Sequence, residues 1–330
     1  MPLLDRRRFF SVLAMGAPAL ARQRIGPPPH EKGPKVYLDY DQVELDAAYD
    51  QTAYAPNRRQ IEERIAAASE LVRARLGAPV RVSYGPTEIE RLDIYRTPRP
   101  RAPIHVFVHG GAWRAGSARG NAFAAEVFVA EGAHFIAPDF AAVQDAGGSL
   151  MPMADQVRRA IAWVYRNAAS FGGDPERLYI SGHSSGAHLA GVAVTTDWRK
   201  DFSLPAGLIK GAQLVSGMYD LRGPRLSSRN TYVKFDDATE EALSPQRHID
   251  RLSTPLIVAY GSLETPEFQR QARDFAAAVK AAGKPMELLR CENYNHFELG
   301  ETLANPYGPL ARAALGQMKL DPNSRYDGRR

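Results

Sequence analysis

The chain has 330 residues, of which 44% are hydrophobic and 24% charged, with a net charge of +5 and a single cysteine. That balance suits a globular chain long enough to bury roughly three quarters of its unfolded surface. No apolar run reaches the roughly 18 residues a membrane span needs, the basic residues are too scattered for a nucleic-acid footprint, and the lone Cys291 excludes an intrachain disulfide.

At the start, Asp5-Arg6-Arg7-Arg8-Phe9-Phe10 leads into a moderately apolar run ending at Ala19-Leu20-Ala21. Paired arginines, an apolar stretch and small residues at the peptidase positions are the pattern of a twin-arginine export signal. Residues 1–21 are therefore expected to be removed on export to the periplasm or beyond, with no membrane insertion afterwards. The alternative is a cytoplasmic protein with a disordered tail. Residues 22–35, carrying G-P-P-P and G-P, read as an extended linker without packed structure. Residues 36–330 read as one domain.

The spacing predicts a helix from Asn57 to Leu76, with Asn57 as N-cap, Gln60 three residues on, and Gly77 as the stop. Ile61, Ile65, Ala68, Val72 and Leu76 would share its buried face. Short strands are expected at 80–84, 92–95, 104–108, 134–140 and 178–181, with a helix over 152–170 placed before the last of these. A helix over 187–194 follows, then strands at 211–217 and 255–261, a helix over 266–283 ending at Gly283, and a strand at 286–290 beside a buried, inert Cys291. Strands alternating with helices imply an α/β fold, a mostly parallel, doubly wound sheet with helices on both faces. Residues 218–250 break the rhythm and are expected to form an irregular excursion over the sheet's carboxyl edge, where such folds bind ligands.

Gly182-His183-Ser184-Ser185-Gly186 lies directly between a predicted strand and a predicted helix. This is the context of the nucleophile elbow of α/β-hydrolases, which projects a serine hydroxyl above the sheet. Ser184 is thus the candidate nucleophile. A serine hydroxyl needs a base, and in this fold the chain order is serine, acid, histidine. His188 is too close to Ser184 in sequence and His248 sits in the excursion, so His296, after the last strand, is the candidate base. Glu264, after the preceding strand, is the candidate acid, with Asp220 one strand earlier as its rival; Glu267 is assigned to the start of the following helix, where it favours the helix dipole. The backbone amides of Gly111, Ala112 and Ser185 are the candidate oxyanion donors. His109 is read as orienting that loop. Trp113 either lines the substrate pocket or packs the loop, and Tyr219 and Tyr232 are candidates to roof the pocket. His105 and His109 lack a carboxylate or cysteine cluster, so no metal is expected, and no G-x-G-x-x-G opens a helix, so no cofactor is expected.

His109-G-G-A-Trp113, Gly182-H-S-S-G-A-H-L-Ala190, Gly261-S-L-E-T-P-E-Phe268 and the Asn295-His296-Phe297 loop together resemble the kynurenine formamidase (arylformamidase) and related esterase branch of the α/β-hydrolases. The likeness spans roughly residues 36–320. It implies cofactor-free hydrolysis of an acyl–oxygen or acyl–nitrogen bond at Ser184, Glu264 and His296. Many formamidases carry aspartate where this chain has Glu264, and an exported chain departs from a cytosolic kynurenine pathway. The expected substrate is therefore a small, aromatic ester or amide. An arylformamidase acting on formylkynurenine-like formamides is the alternative, and a non-catalytic ligand-binding protein on the same scaffold is a third reading. The sequence assigns no oligomeric state.

Overall fold

Eight strands run along the chain: β1 (Val80–Ser83), β2 (Arg91–Tyr95), β3 (Ala102–Val108), β4 (His134–Pro138), β5 (Gly173–His183), β6 (Ile209–Val215), β7 (Leu256–Gly261) and β8 (Met286–Cys291). The helices are α1 (Gln42–Ala48), α2 (Arg58–Leu76), α3 (Ala125–Ala130), α4 (Met151–Asn167), α5 (Ser185–Val194), α6 (Trp198–Phe202), α7 (Arg222–Leu226), α8 (Asp237–Ala242), α9 (Pro266–Ala281), α10 (His296–Glu301) and α11 (Pro309–Gln317). This computed structural model describes residues 26–27 and 29–320; the expected export segment lies outside them. Among the described residues, no helix is long and apolar enough to cross a membrane.

The strands form one sheet in the order β1-β2-β4-β3-β5-β6-β7-β8. β1 and β2 pair antiparallel, as do β2 and β4, while every pairing from β4 across to β8 is parallel. β3 shows why such a strand sits inside. Its alternate residues feed two cores, Ile104, Val106 and Val108 on one face and Phe107 on the other. The first core is closed by Val157 and Ile161 of α4, Leu189 of α5 and Phe275 of α9. The second is closed by Val72 of α2, Phe128 of α3 and Leu315 of α11. Helices therefore cover both faces, and the carboxyl ends of β3, β5, β6, β7 and β8 share one edge.

Several local expectations change. β5 begins five residues before the predicted strand. Leu76, expected on the buried face of α2, is exposed because α2 ends there. Asn57 makes no side-chain cap bond; its amide donates to Glu298 and its carbonyl oxygen accepts from Asn295 instead, at 2.6 and 2.8 Å. Part of the stretch expected as an unpacked linker is tied down, since Asp41 binds the His30 ring and the Gly33 amide, both at 2.8 Å. The excursion over 218–250 is built from α7, α8 and short 3-10 turns. Cys291 is buried, and loss of solvent pushes its thiol up to about 11, so it is held protonated.

Candidate active site

β5 ends at His183 and α5 begins at Ser185, which leaves Ser184 alone at the junction with φ 59° and ψ −126°. A non-glycine residue there costs about 1–3 kcal/mol and persists only when its surroundings impose it. Here the Ser184 amide donates to the Val215 carbonyl of β6 at 2.9 Å, while the Ser184 carbonyl accepts from Ala187 and His188 at 3.0 and 3.2 Å. A Cβ on Gly186 would stand 2.1 Å from the Val108 carbonyl oxygen. Glycine at that position is what lets α5 lie against the end of β3. The positive end of the α5 dipole then falls beside the Ser184 hydroxyl.

His296 is the first residue of α10. Asn295 caps this helix, its side-chain oxygen accepting from the Phe297 and Glu298 amides, while the Glu298 carboxylate accepts from the Asn295 amide. The imidazole Nδ1 lies 2.9 Å from Glu264 Oε2. A carboxylate only accepts, so Nδ1 carries the proton and Nε2 is left basic. Glu264 is itself buried and held from three other sides: Ser216 Oγ and the Gly261 amide donate to Oε1 at 2.5 and 2.7 Å, and Gln51 Nε2 donates to Oε2 at 3.2 Å. The His296 ring centroid is 4.5 Å from that of His183, the neighbour of Ser184. Burial pushes His183 down to about 3, so it is neutral and donates Nε2–H to the His296 carbonyl at 2.9 Å.

The rival residues have other partners. Asp220 accepts from the Arg222 amide at 3.0 Å and sits 3.6 Å from Arg247. His188, also neutral through burial, accepts from Trp113 Nε1 and donates to the Leu243 carbonyl. His248 bonds the Glu241 carbonyl at the surface. Glu267 does open α9, yet its buried carboxylate is spent on Arg270 and the Tyr49 hydroxyl.

Beyond β3, the loop after His109 turns through three consecutive left-handed residues, Gly111 (φ 117°), Ala112 (54°) and Trp113 (62°). It presses on the elbow: a Cβ on Gly110 would lie 2.7 Å from the His183 carbonyl oxygen and 3.1 Å from Ser184 Cβ. The Trp113 amide donates to Ser185 Oγ at 3.1 Å and fastens loop to helix. His109 stacks on Phe140 with centroids 4.2 Å apart, and its Nδ1 bonds the Gly110 carbonyl, which steadies the turn. Two open surface grooves, of about 450 and 430 Å³, lie elsewhere, and neither is lined by Ser184, Glu264 or His296.

Known proteins carry the same arrangement of sequence. The BD-FAE family pattern matches residues 92–214. The kynurenine formamidase of Danio rerio is 33% identical over 71% of this chain and 80% of its own length. The chain belongs to the kynurenine formamidase and carboxylesterase branch of the α/β-hydrolases. Esterase LipQ of Mycobacterium tuberculosis is 30% identical over 67% of this chain and 58% of its own length. The solved structure of an esterase from Thermogutta terrifontis, 24% identical, superposes with a TM-score of 0.62 over 76% of this chain and 96% of its own, which shows the shared fold.

Within this formamidase-branch hydrolase the three aromatic candidates sit differently. Trp113 is 1% exposed, its indole turned into the core against His188, so it packs the loop rather than lining a pocket. Tyr219 is equally buried; its ring stacks on Phe275 at 4.4 Å and its hydroxyl donates to the Leu214 carbonyl, so it roofs nothing. Tyr232 is half-buried, with the Arg114 guanidinium over its ring and its hydroxyl accepting from Arg229. The rings that do flank His296 are Phe268 and Phe297, at 5.2 and 5.3 Å and both edge-on. Sequence reasoning also passed over Gln51, Ser216 and Arg229. Ser216 had a signal, a hydroxyl at the carboxyl end of β6; Gln51 and Arg229 had none nearby.

Proposed function

We propose that this protein hydrolyses small carboxylic esters or amides, formamides included, through an acyl-enzyme on Ser184. The observation that carries the reading is the Nδ1–Glu264 bond at 2.9 Å, in a histidine packed beside the strained serine elbow. In this reading Nε2 of His296 takes the Ser184 hydroxyl proton as Oγ attacks the carbonyl carbon. The oxyanion falls to the amides of Gly111, Ala112 and Ser185, which share the elbow's edge. His296 then gives its proton to the departing alcohol or amine, and water repeats the sequence to release the acid. Glu264 keeps the tautomer fixed and stabilises the imidazolium throughout.

An aromatic leaving group is supported by Phe297, half-buried beside His296, and by the kynurenine formamidase relative. A short acyl group is expected to go with it. Specificity constants for phenyl acetate, p-nitrophenyl decanoate and an N-formyl arylamine test this together. Phenyl acetate and the formamide are expected to be turned over well and the decanoate poorly. A decanoate advantage beyond about tenfold, roughly 1.4 kcal/mol in the transition state, would make the site a lipase-like groove. A protein that only binds ligands would show no burst of acyl-enzyme with any activated ester.

We further propose twin-arginine export, supported by Arg6 and Arg7 ahead of the apolar run and by Ala19 and Ala21. Replacing Arg6 and Arg7 by lysine is expected to strand the full-length precursor in the cytoplasm on cell fractionation. Wild-type protein found there at full length would end this reading.

A further inference from the structure

The Glu264 carboxylate is buried, and among the described residues no arginine or lysine pairs with it. A carboxylate offers about four lone-pair sites, and here each has a donor: Ser216 Oγ and the Gly261 amide on Oε1, His296 Nδ1 and Gln51 Nε2 on Oε2. Three of these donors come from the sheet's carboxyl edge. The fourth comes from outside the sheet. Gln51 opens a short 3-10 turn, Gln51–Tyr54, capped by the Asp50 side chain. The Thr265 amide points at Gln51 Oε1 at 3.4 Å, which turns Nε2 toward Glu264. The surrounding segment is tied down as well. The Tyr49 hydroxyl donates to Glu267 at 2.9 Å, Asp46 accepts from the Ser228 amide at 2.6 Å, and the Tyr49 carbonyl accepts from Arg229 at 2.8 Å.

We propose that Gln51 is a positioning residue for hydrolysis: it completes the hold on the triad acid from the N-terminal segment, and it shares Oε2 with the imidazole of His296. This rests on the hydrolase reading above and adds a fourth member to its triad. A hydrogen bond to a buried charge is stronger than one between neutral groups, and losing it leaves a lone pair of the anion unsatisfied. Without Gln51 the charge on Oε2 is less dispersed. The imidazolium is then held more tightly, and Nε2 becomes free to act as base only at higher pH. The other ionisable groups around the pair are neutral or matched. Burial keeps His183 of β5 unprotonated and holds Cys291 of β8 and Tyr219 beyond β6 in their protonated forms. Glu267 of α9 is bound to Arg270, Glu298 of α10 to Asn57 and Asn295, and Arg229 stands over the Phe268 ring.

Steady-state kinetics on phenyl acetate across pH compares wild type, Gln51→Met and Gln51→Glu. Methionine keeps the reach of the side chain and removes the donor. Gln51→Met is expected to lower kcat by at least about tenfold with KM within about twofold, the mark of an interaction that matters in the transition state. Its acidic limb of kcat/KM is expected to move to higher pH. Gln51→Glu is isosteric and sets two carboxylates side by side, which cannot both ionise at that distance. A shared proton then replaces the amide N–H. The activity of Gln51→Glu relative to wild type is therefore expected to be highest in mild acid and to fall as pH rises and that proton leaves. A residue that only holds the fold together would give no such trend. A Gln51→Met variant equal to wild type in kcat and acidic limb, or a Gln51→Glu ratio flat across pH, would overturn the proposal; should Gln51→Met not fold, the Gln51→Glu ratio decides it. NMR of the His296 Nδ1 proton follows the same coupling without turnover. A ring titration that moves in Gln51→Met, in a protein whose wild type turns over no ester, would end the hydrolase reading and leave the contact between Gln51 and Glu264 standing.

Discussion

Ser184→Ala is expected to fold as the wild type does and to lose turnover by roughly four to six orders of magnitude. Alanine keeps the Cβ that already tolerates φ 59° and removes only the hydroxyl, so the elbow's hydrogen bonds to Val215 and α5 persist. Ser185, the neighbouring hydroxyl, offers no substitute. It sits inside the first turn of α5, it is buried, and its oxygen already accepts from the Trp113 amide. Fluorophosphonate labelling followed by peptide mapping checks the assignment directly. An adduct on Ser185, or none on folded wild-type protein, would remove Ser184 from the mechanism.

Glu264→Gln should approach a loss of about 10⁴ in turnover, the typical cost of removing a triad acid. The neighbours explain why the isosteric amide fails. Glu264 receives hydrogen bonds from Ser216, Gly261, Gln51 and His296. A glutamine can satisfy only one side with its oxygen. If that oxygen faces the Gly261 amide and Ser216, the NH₂ group faces His296 Nδ1 and forces the ring proton to Nε2, the nitrogen needed as base. Asp220→Asn should change kcat/KM by less than about threefold, because the Asp220 carboxylate meets the Arg222 amide and the Arg247 fork at a half-exposed position, and its backbone bonds to Gln271 are untouched by the change. Steady-state kinetics on phenyl acetate with both variants decides. The reverse ranking would move the acid to the end of β6.

The parts legible in the sequence are those encoded by neighbouring residues. The elbow occupies five consecutive positions between a buried strand and a helix, and the alternation of strands and helices follows from short apolar runs broken by glycine and proline. Chain order favours Glu264 and leaves Asp220 as its rival, because both follow parallel strands that end on the same edge; three-dimensional contact pairs Glu264 with His296. The cap of α10 was also legible, since Asn295 and Glu298 have capping-box spacing, yet the residues read as plain loop. Tyr219 misleads, and Trp113 is left open between two readings, because a large ring suits a pocket wall and a core equally, and here the core takes both. Arg229 and Gln51 stay silent for a different reason. Their partners Tyr49 and Glu264 lie 180 and 213 positions away, beyond any local pattern.

That separation sets an order of events. Glu264 meets His296 across 32 positions and Ser216 across 48, but Gln51 only across 213. Closing so long a loop costs entropy that the rest of the tertiary structure must first offset. The parallel strands and the elbow can assemble before the segment bearing Gln51 docks. Refolding followed by circular dichroism should then run ahead of refolding followed by turnover, with the gap measuring that last docking step. Turnover would then report the end of folding, and a chain halted just short of it would hold Glu264 through Ser216, Gly261 and His296 without the added grip of Gln51.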